Sequence, residues 1–124
     1  MTAEKKRILL VDDDPAIIES MRATLAALGY EVIVGRDGDQ GIKLAIESTP
    51  DLIVLDMMMP RRSGYSVLER MRKDLPRPAP VIMITANESN RHQHYAERLG
   101  ANDYLRKPFA MESLIERVEA HLAA

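Results

Sequence analysis

Short apolar runs alternate with segments whose apolar residues recur at helical spacing, and this alternation occurs five times along the chain. The apolar runs have the length of strands, whereas the intervening segments repeat their apolar positions every three or four residues. We predict strands at 7–11, 31–35, 51–56, 81–85 and 103–107. This alternation of strands and helices is typical of a parallel sheet wound with helices.

The helices are indicated by their termini as well as by their periodicity. Asp14 followed by Pro15 predicts an N-cap with proline at the first helical position, and Gly29 is placed to end that helix. Its predicted apolar face comprises Ile17, Met21, Leu25 and Leu28. Further helices are predicted over 39–48, from Gly64, over roughly 88–99, and after Pro108, where the apolar face comprises Met111, Leu114, Ile115, Val118 and Leu122.

The predicted fold is α/β, a doubly wound (βα)₅ flavodoxin-like sandwich with five parallel strands in the order 2-1-3-4-5. The chain has 124 residues, of which 46% are hydrophobic, and this is enough for one core but too little for two ordinary domains. We therefore expect a single domain over residues 1–124. Ligands of such folds bind at the carboxyl ends of the strands, so functional residues should lie there.

Composition excludes several classes of function. The 19 acidic and 17 basic residues are interspersed and give a formal charge of −2, so a direct nucleic-acid contact is not expected. No apolar run has the length of a membrane span or a signal peptide, and the chain has no cysteine for a disulfide framework. We expect a cytoplasmic protein without a membrane contact.

Polar residues follow the predicted strands at one rim of the sheet. Asp12 and Asp13 follow the first strand, Asp56 ends the third, Thr85 ends the fourth and Lys107 ends the fifth. If the first and third strands are neighbours, their spacing of ~5 Å brings the three carboxylates close together. Such a cluster is costly without a cation, and a hard divalent ion with oxygen ligands suits it best. The sequence therefore predicts a Mg²⁺ site.

The lysine and the threonine add a second kind of chemistry to this rim. Transfer of a phosphoryl group depends mainly on positioning and on neutralisation of charge, which a metal ion, an ammonium group and a hydroxyl donor can supply. A carboxylate can then act as the nucleophile and form an aspartyl phosphate. Asp56 is the best candidate for that role.

Four motifs of the chain, ILLVDDDP, LIVLDMMMP, VIMITA and DYLRKPF, occur in the order and at the separations of a known family. With these motifs the sequence resembles the receiver domain of response regulators in two-component signal transduction. The resemblance covers essentially the whole chain. It implies a signalling switch that is phosphorylated, and not a metabolic enzyme.

The resemblance also implies roles for individual residues. Asp56 would accept a phosphoryl group from a sensor histidine kinase or a histidine phosphotransfer protein. Asp13 and Asp56 would bind Mg²⁺ directly, Asp12 would act mainly through a bound water, and the backbone carbonyl of Met58 would provide a further oxygen. Lys107 would pair with the phosphoryl oxygens.

The resemblance further implies how the signal leaves the domain. The Lys107–Pro108 bond is expected to be cis, Thr85 would move toward the phosphoryl group, and Tyr104 would turn inward. The face formed by the fourth helix, the fifth strand and the fifth helix would then change shape and control a downstream protein or output domain. We expect a monomer or a weak dimer, with slow autodephosphorylation.

Two alternatives remain open on the sequence. The chain could be a receiver-like binding module that acts without phosphorylation, although its complete set of acids, threonine and lysine argues against this. It could also be a haloacid-dehalogenase-like phosphatase with Asp12 as nucleophile and Asp14 as acid, which would leave Asp56 without a role. A nucleotide-binding fold is disfavoured because neither G-x-x-x-x-G-K nor G-x-G-x-x-G occurs.

Overall fold

A computed structural model describes residues 5–76, 78–86 and 90–123, with the side chains of residues 90–93 outside the description. Five strands alternate with five helices along the chain. They are β1 (Arg7–Val11), α1 (Pro15–Ala27), β2 (Glu31–Gly35), α2 (Gly38–Ser48), β3 (Leu52–Asp56), α3 (Gly64–Asp74), β4 (Val81–Thr85), α4 (Asn90–Arg98), β5 (Asp103–Arg106) and α5 (Met111–Leu122).

The strands form one parallel sheet in the order β2-β1-β3-β4-β5, which confirms the predicted fold class and strand order. The central strand β3 pairs with β1 on one side and β4 on the other, and all five of its residues are buried. Because every strand is parallel, all five carboxyl ends meet at the same rim.

Alternate residues of the strands serve two separate cores. One face of the sheet packs against α2, α3 and α4 through a cluster that includes Leu9, Leu55, Ala45, Leu68, Met71 and Ala96. The opposite face packs against α1 and α5 through a cluster that includes Ile8, Val54, Met21, Leu25, Leu114 and Val118. Within the described ranges, no helix is long and apolar enough to cross a membrane.

Several predicted boundaries differ from the structure by one or two residues. The second helix begins at Gly38 and not at Asp39, because Asp37 caps it by accepting a hydrogen bond from the Gln40 amide at 2.8 Å. β3 begins at Leu52, one residue later than predicted, and β5 ends one residue earlier than predicted. The predicted start of the fourth helix, near residue 88, lies outside the described residues.

One residue of the predicted apolar face of α1 is wrong. Leu28 is 48% exposed, whereas Ile18, which the prediction omitted, is fully buried. Leu28 is the C-cap of α1, and Gly29 follows with φ +96°, so the chain turns away before that side chain can reach the core.

The rim that carries the amino ends of the strands is held by one arginine side chain. Arg72, near the end of α3, donates hydrogen bonds to the carbonyl of Gly100 at 2.6 Å and to the carbonyl of Ala79 at 2.8 Å. It also donates to the Asn102 side chain, which in turn accepts from the Val81 amide. The guanidinium thus joins α3 to the segments that lead into β4 and β5.

Candidate functional site

Three carboxylates converge at the carboxyl rim of the sheet. Val11 and Leu55 are aligned in neighbouring strands, so Asp12 and Asp56, which follow them, lie side by side. Oxygens of Asp12, Asp13 and Asp56 all lie within 4.8 Å of one another. Asp12 is 1% exposed and Asp56 is 3% exposed, whereas Asp13 is exposed to solvent. The predicted convergence of these carboxylates is confirmed.

The third acid of the DDD run has a different task, as the sequence predicted. Asp14 is the N-cap of α1, and its carboxylate accepts hydrogen bonds from the amides of Ala16 at 3.0 Å and Ile17 at 3.4 Å. The Asp14 amide donates to Oδ1 of Asp12 at 2.9 Å. The cap therefore also holds the buried Asp12 carboxylate in place.

Lys107 brings a positive charge to the carboxylates. Its Nζ lies 3.5 Å from Oδ2 of Asp12 and 3.5 Å from Oδ1 of Asp56. The Lys107 amide donates a hydrogen bond to the carbonyl of Thr85 at 2.6 Å, and the Lys107–Pro108 peptide bond is cis, as expected. The ends of β4 and β5 thus hold Thr85 and Lys107 at the same rim as the acids.

The electrostatic environment of Asp56 is unfavourable to its charge. Burial, and next the neighbouring Asp12 carboxylate, raise the pKa of Asp56 from 3.8 to about 6. Lys107 and the Met58 amide, which donates to Oδ1 of Asp56 at 3.4 Å, counteract this only in part. The negative charge of the Asp56 carboxylate is therefore only partly compensated by its neighbours, and a bound cation can compensate the remainder.

The loop after β3 is held close to Asp56 by a glycine. The Gly64 amide donates to the carbonyl of Met57 at 2.9 Å, and a Cβ atom at position 64 would lie 2.4 Å from the Asp56 carbonyl oxygen. Only glycine allows α3, which Ser63 caps, to begin so near β3. In the sequence, Gly64 marks only the start of a helix, and no local pattern indicates its closeness to Asp56.

The predicted switch residues lie in β4 and β5. Thr85 is fully buried at the end of β4. Tyr104 is half-buried in β5, and its buried hydroxyl has no hydrogen-bond partner among the described residues. Near it, the rings of Tyr65 and Tyr95 meet edge to face with their centroids 4.8 Å apart. Movement of Thr85 and Tyr104 on phosphorylation remains a prediction.

An apolar cavity of about 490 Å³ opens beside Lys107, between α1 and the start of α5. It is lined by Ala16, Ile17, Ser20, Ala86, Pro108, Phe109 and Met111 as well as the lysine. Lys107 therefore lies between the carboxylates on one side and an apolar surface on the other.

Comparison with curated proteins identifies relatives that are longer than this chain. The chain is 43% identical over 118 residues to the DNA-binding dual master transcriptional regulator RpaA of Synechocystis sp., and the match covers 94% of this chain and 48% of that protein. The chain spans about half the length of the curated relatives it matches.

Solved structures with the same fold include receiver domains. A CheY-like receiver domain protein from Methanospirillum hungatei superposes with a TM-score of 0.88 at 31% identity, covering 94% of this chain and 93% of that one. The receiver domain of a sensor histidine kinase from Pseudomonas aeruginosa, which has a magnesium ion coordinated in its active site cleft, gives a TM-score of 0.87 at 32% identity. That match covers 98% of this chain and 100% of the other.

The sequence profile of the response regulator receiver domain matches residues 8–119, a range that includes all five strand ends at the rim of the acidic site. The four motifs from which the resemblance was inferred lie within the fold and the site described above. The chain belongs to the family of response regulator receiver domains.

Proposed function

We propose that this chain is the phosphorylation-activated switch of a two-component system, with Asp56 as the phosphoacceptor. The observation that carries the proposal is the placement of Asp56, buried beside two other carboxylates and with the Lys107 ammonium 3.5 Å away. Phosphorylation of a carboxylate at such a site is the standard function of the family. A sensor histidine kinase or a histidine phosphotransfer protein would be the donor.

The donor atoms of the site fit Mg²⁺. Three carboxylates within 4.8 Å, two of them buried, offer the hard oxygen ligands that this ion prefers. Asp12, Asp13, Asp56 and the backbone carbonyl of Met58 would hold it, with Asp12 acting mainly through a water. When bound, the ion neutralises charge on the carboxylates and on the incoming phosphoryl group.

Asp56 would attack the phosphorus atom of a phosphohistidine with one carboxylate oxygen. The new phosphorus–oxygen bond replaces the phosphorus–nitrogen bond, whose electron pair returns to the imidazole ring. Lys107, already within reach of the Asp56 carboxylate, would stabilise the negative charge on the phosphoryl oxygens. Burial of Asp56 supports this role, because water reaches a buried site poorly and competes less with the carboxylate for the phosphoryl group.

Thr85 and Tyr104 would carry the signal away from the phosphoryl group. Thr85 ends β4, the strand that pairs with β3, and its carbonyl accepts a hydrogen bond from the Lys107 amide. The buried hydroxyl of Tyr104, without a partner in the described part of the chain, supports a side chain that changes its position between two states. The surface of α4, β5 and α5 would change in response.

The proposed switch acts through partners and not through turnover. The domain, which we propose to span residues 1–124 as one unit, would catalyse only its own phosphorylation and slow autodephosphorylation. Its output would be a downstream protein or a further domain, and the DNA-binding name of the Synechocystis relative suggests one kind of output. We propose a cytoplasmic monomer or weak dimer that makes no direct contact with nucleic acid or membrane.

The test is intact-mass measurement after incubation with acetyl phosphate and Mg²⁺. We expect the parent to gain about 80 Da, the mass of one HPO₃, and the gain to require both the metal and Asp56. Asp56→Asn should gain nothing, whereas Glu47→Gln, which changes an exposed acid on α2, should behave like the parent.

The other outcomes of this measurement identify the alternatives. A gain that persists in Asp56→Asn but is lost in Asp12→Asn would favour the phosphatase chemistry. No gain in the parent, with either acetyl phosphate or a phosphorylated histidine kinase as donor, would favour a binding module that acts without phosphorylation.

A further inference from the structure

The sulfur atoms of this chain are all in methionine side chains. The sequence has eight methionines and no cysteine, so oxidation of sulfur in this protein can occur only on thioethers. Peroxides convert a thioether to a sulfoxide, and reductases reverse the reaction. Access of the oxidant to the sulfur atom decides which methionine reacts, because a buried thioether is shielded from dissolved peroxide.

Exposure differs sharply among the methionines that the structure describes. Met58 is 66% exposed, although its two neighbours in the run, Met57 and Met59, are buried. Met21, Met71 and Met83 are buried, and Met111 is half-buried. Among the described residues, Met58 is therefore the methionine that dissolved peroxide reaches most readily.

The exposed thioether belongs to the residue that contacts the proposed phosphoacceptor. The Met58 amide donates to Oδ1 of Asp56 at 3.4 Å. The preceding residue is held by the hydrogen bond from the Gly64 amide to the Met57 carbonyl, so the backbone from which the Met58 side chain branches is fixed beside Asp56. A chemical change in that side chain therefore takes place at the edge of the site.

We propose that Met58 is a site of reversible oxidation by peroxide and that its sulfoxide shortens the lifetime of the phosphoryl group on Asp56. The proposal rests on the phosphoacceptor function proposed above. The thioether sulfur gives an electron pair to one peroxide oxygen, the oxygen–oxygen bond breaks, and water is released. Sulfur is oxidised to the sulfoxide and the peroxide is reduced.

The effect on lifetime follows from the hydrogen-bonding capacity of the two side chains. A thioether is a weak hydrogen-bond acceptor, whereas a sulfoxide oxygen is polar and can hold a water molecule by accepting a hydrogen bond from it. Loss of the phosphoryl group requires the oxygen of a water molecule to attack phosphorus, which releases the Asp56 carboxylate and inorganic phosphate. A water held at the edge of the site raises the rate of that attack.

The experiment combines peptide mass mapping with the decay of phosphoprotein after removal of acetyl phosphate. Limited treatment with hydrogen peroxide should add one oxygen atom to Met58 before it modifies the buried methionines, and fragment-ion spectra of the peptide distinguish Met58 from its neighbours Met57 and Met59. We expect the decay to become roughly threefold faster, as for one added hydrogen bond to the attacking water. Treatment with methionine sulfoxide reductases and dithiothreitol as the reductant should restore the original decay.

Variants separate this site from the other methionines. Met58→Leu should show the same decay before and after peroxide, whereas Met111→Leu should keep the response of the parent. Met58→Gln, which carries a permanent polar acceptor, should decay faster than Met58→Leu without any peroxide.

Three results would overturn the inference. They are oxidation of Met58 no earlier than that of the buried methionines, an unchanged decay after its oxidation, or a response that persists in Met58→Leu. Failure of the proposed function gives a different result, because the untreated parent would then take up no phosphoryl group.

Discussion

Replacement of Asp56 by asparagine should stabilise the metal-free protein, even though it removes the proposed phosphoacceptor. Burial and the Asp12 carboxylate raise the pKa of Asp56 from 3.8 to about 6. A difference of about two pKa units corresponds to ~3 kcal/mol of unfolding free energy that the ionised carboxylate costs the folded state at neutral pH. The asparagine amide carries no charge, so Asp56→Asn should raise the free energy of unfolding by about 1–3 kcal/mol.

The pH dependence has a definite sign. Because the pKa of Asp56 is higher in the folded state, the folded state binds more protons between pH 3.8 and about 6, and this group lowers stability as the pH rises through that window. The advantage of Asp56→Asn over the parent should therefore be small near pH 4, increase toward pH 6 and remain constant above about pH 7.

Urea unfolding in the presence of a chelator, followed by circular dichroism at several pH values, measures this difference. Glu47→Gln serves as the control, since an exposed acid should change stability by no more than about 0.5 kcal/mol. An Asp56→Asn variant that is no more stable than the parent at about pH 7.5 would contradict a raised pKa of Asp56 in the folded state, and so would a stability difference that does not change between about pH 4 and pH 7.

Three further predictions concern the site and the backbone. Mg²⁺ at a hundredfold excess over Kd should stabilise the parent by about 2.7 kcal/mol and should stabilise Asp56→Asn much less. Calorimetry checks this through the rise in melting temperature of each protein. Gly64→Ala should lower the free energy of unfolding in urea by about 2 kcal/mol or more, because its Cβ would lie 2.4 Å from the Asp56 carbonyl oxygen. Thr49→Asn should raise the free energy of unfolding by about 0.5–1 kcal/mol, because Thr49 is the C-cap of α2 with φ +45°, a conformation that asparagine tolerates better.

The order of strands and helices could be predicted because local signals agreed with the tertiary structure. The strands β3 and β4 are uniformly apolar up to their last residue, as expected for a sheet covered on both faces, and their polar ends identified the rim that carries the site. The Asp14–Pro15 cap was equally clear, because it depends on neighbours in sequence only. The start of α2 was less clear, since the glycine at its first position weakens the helical pattern.

The features that the sequence did not reveal depend on contacts between distant segments. Which acid of the DDD run is buried depends on how β1 ends beside β3, and the structure buries Asp12 while it leaves Asp13 exposed. The need for glycine at position 64 arises from the closeness of α3 to the end of β3. Exposure of Met58 between two buried methionines depends on the course of a loop that has no periodic pattern.

The Arg72 side chain fastens the end of the molecule that lies opposite the acidic site. Its hydrogen bonds to the Gly100 and Ala79 carbonyls and to Asn102 fasten α3 to the entrances of β4 and β5, at the opposite end of β4 from Thr85. Because these segments are fixed by Arg72, displacements caused by a new charge on Asp56 should be smallest near this guanidinium and larger toward the carboxyl ends of the strands. Arg72 would thus confine the conformational change to the half of the fold that carries the acidic site.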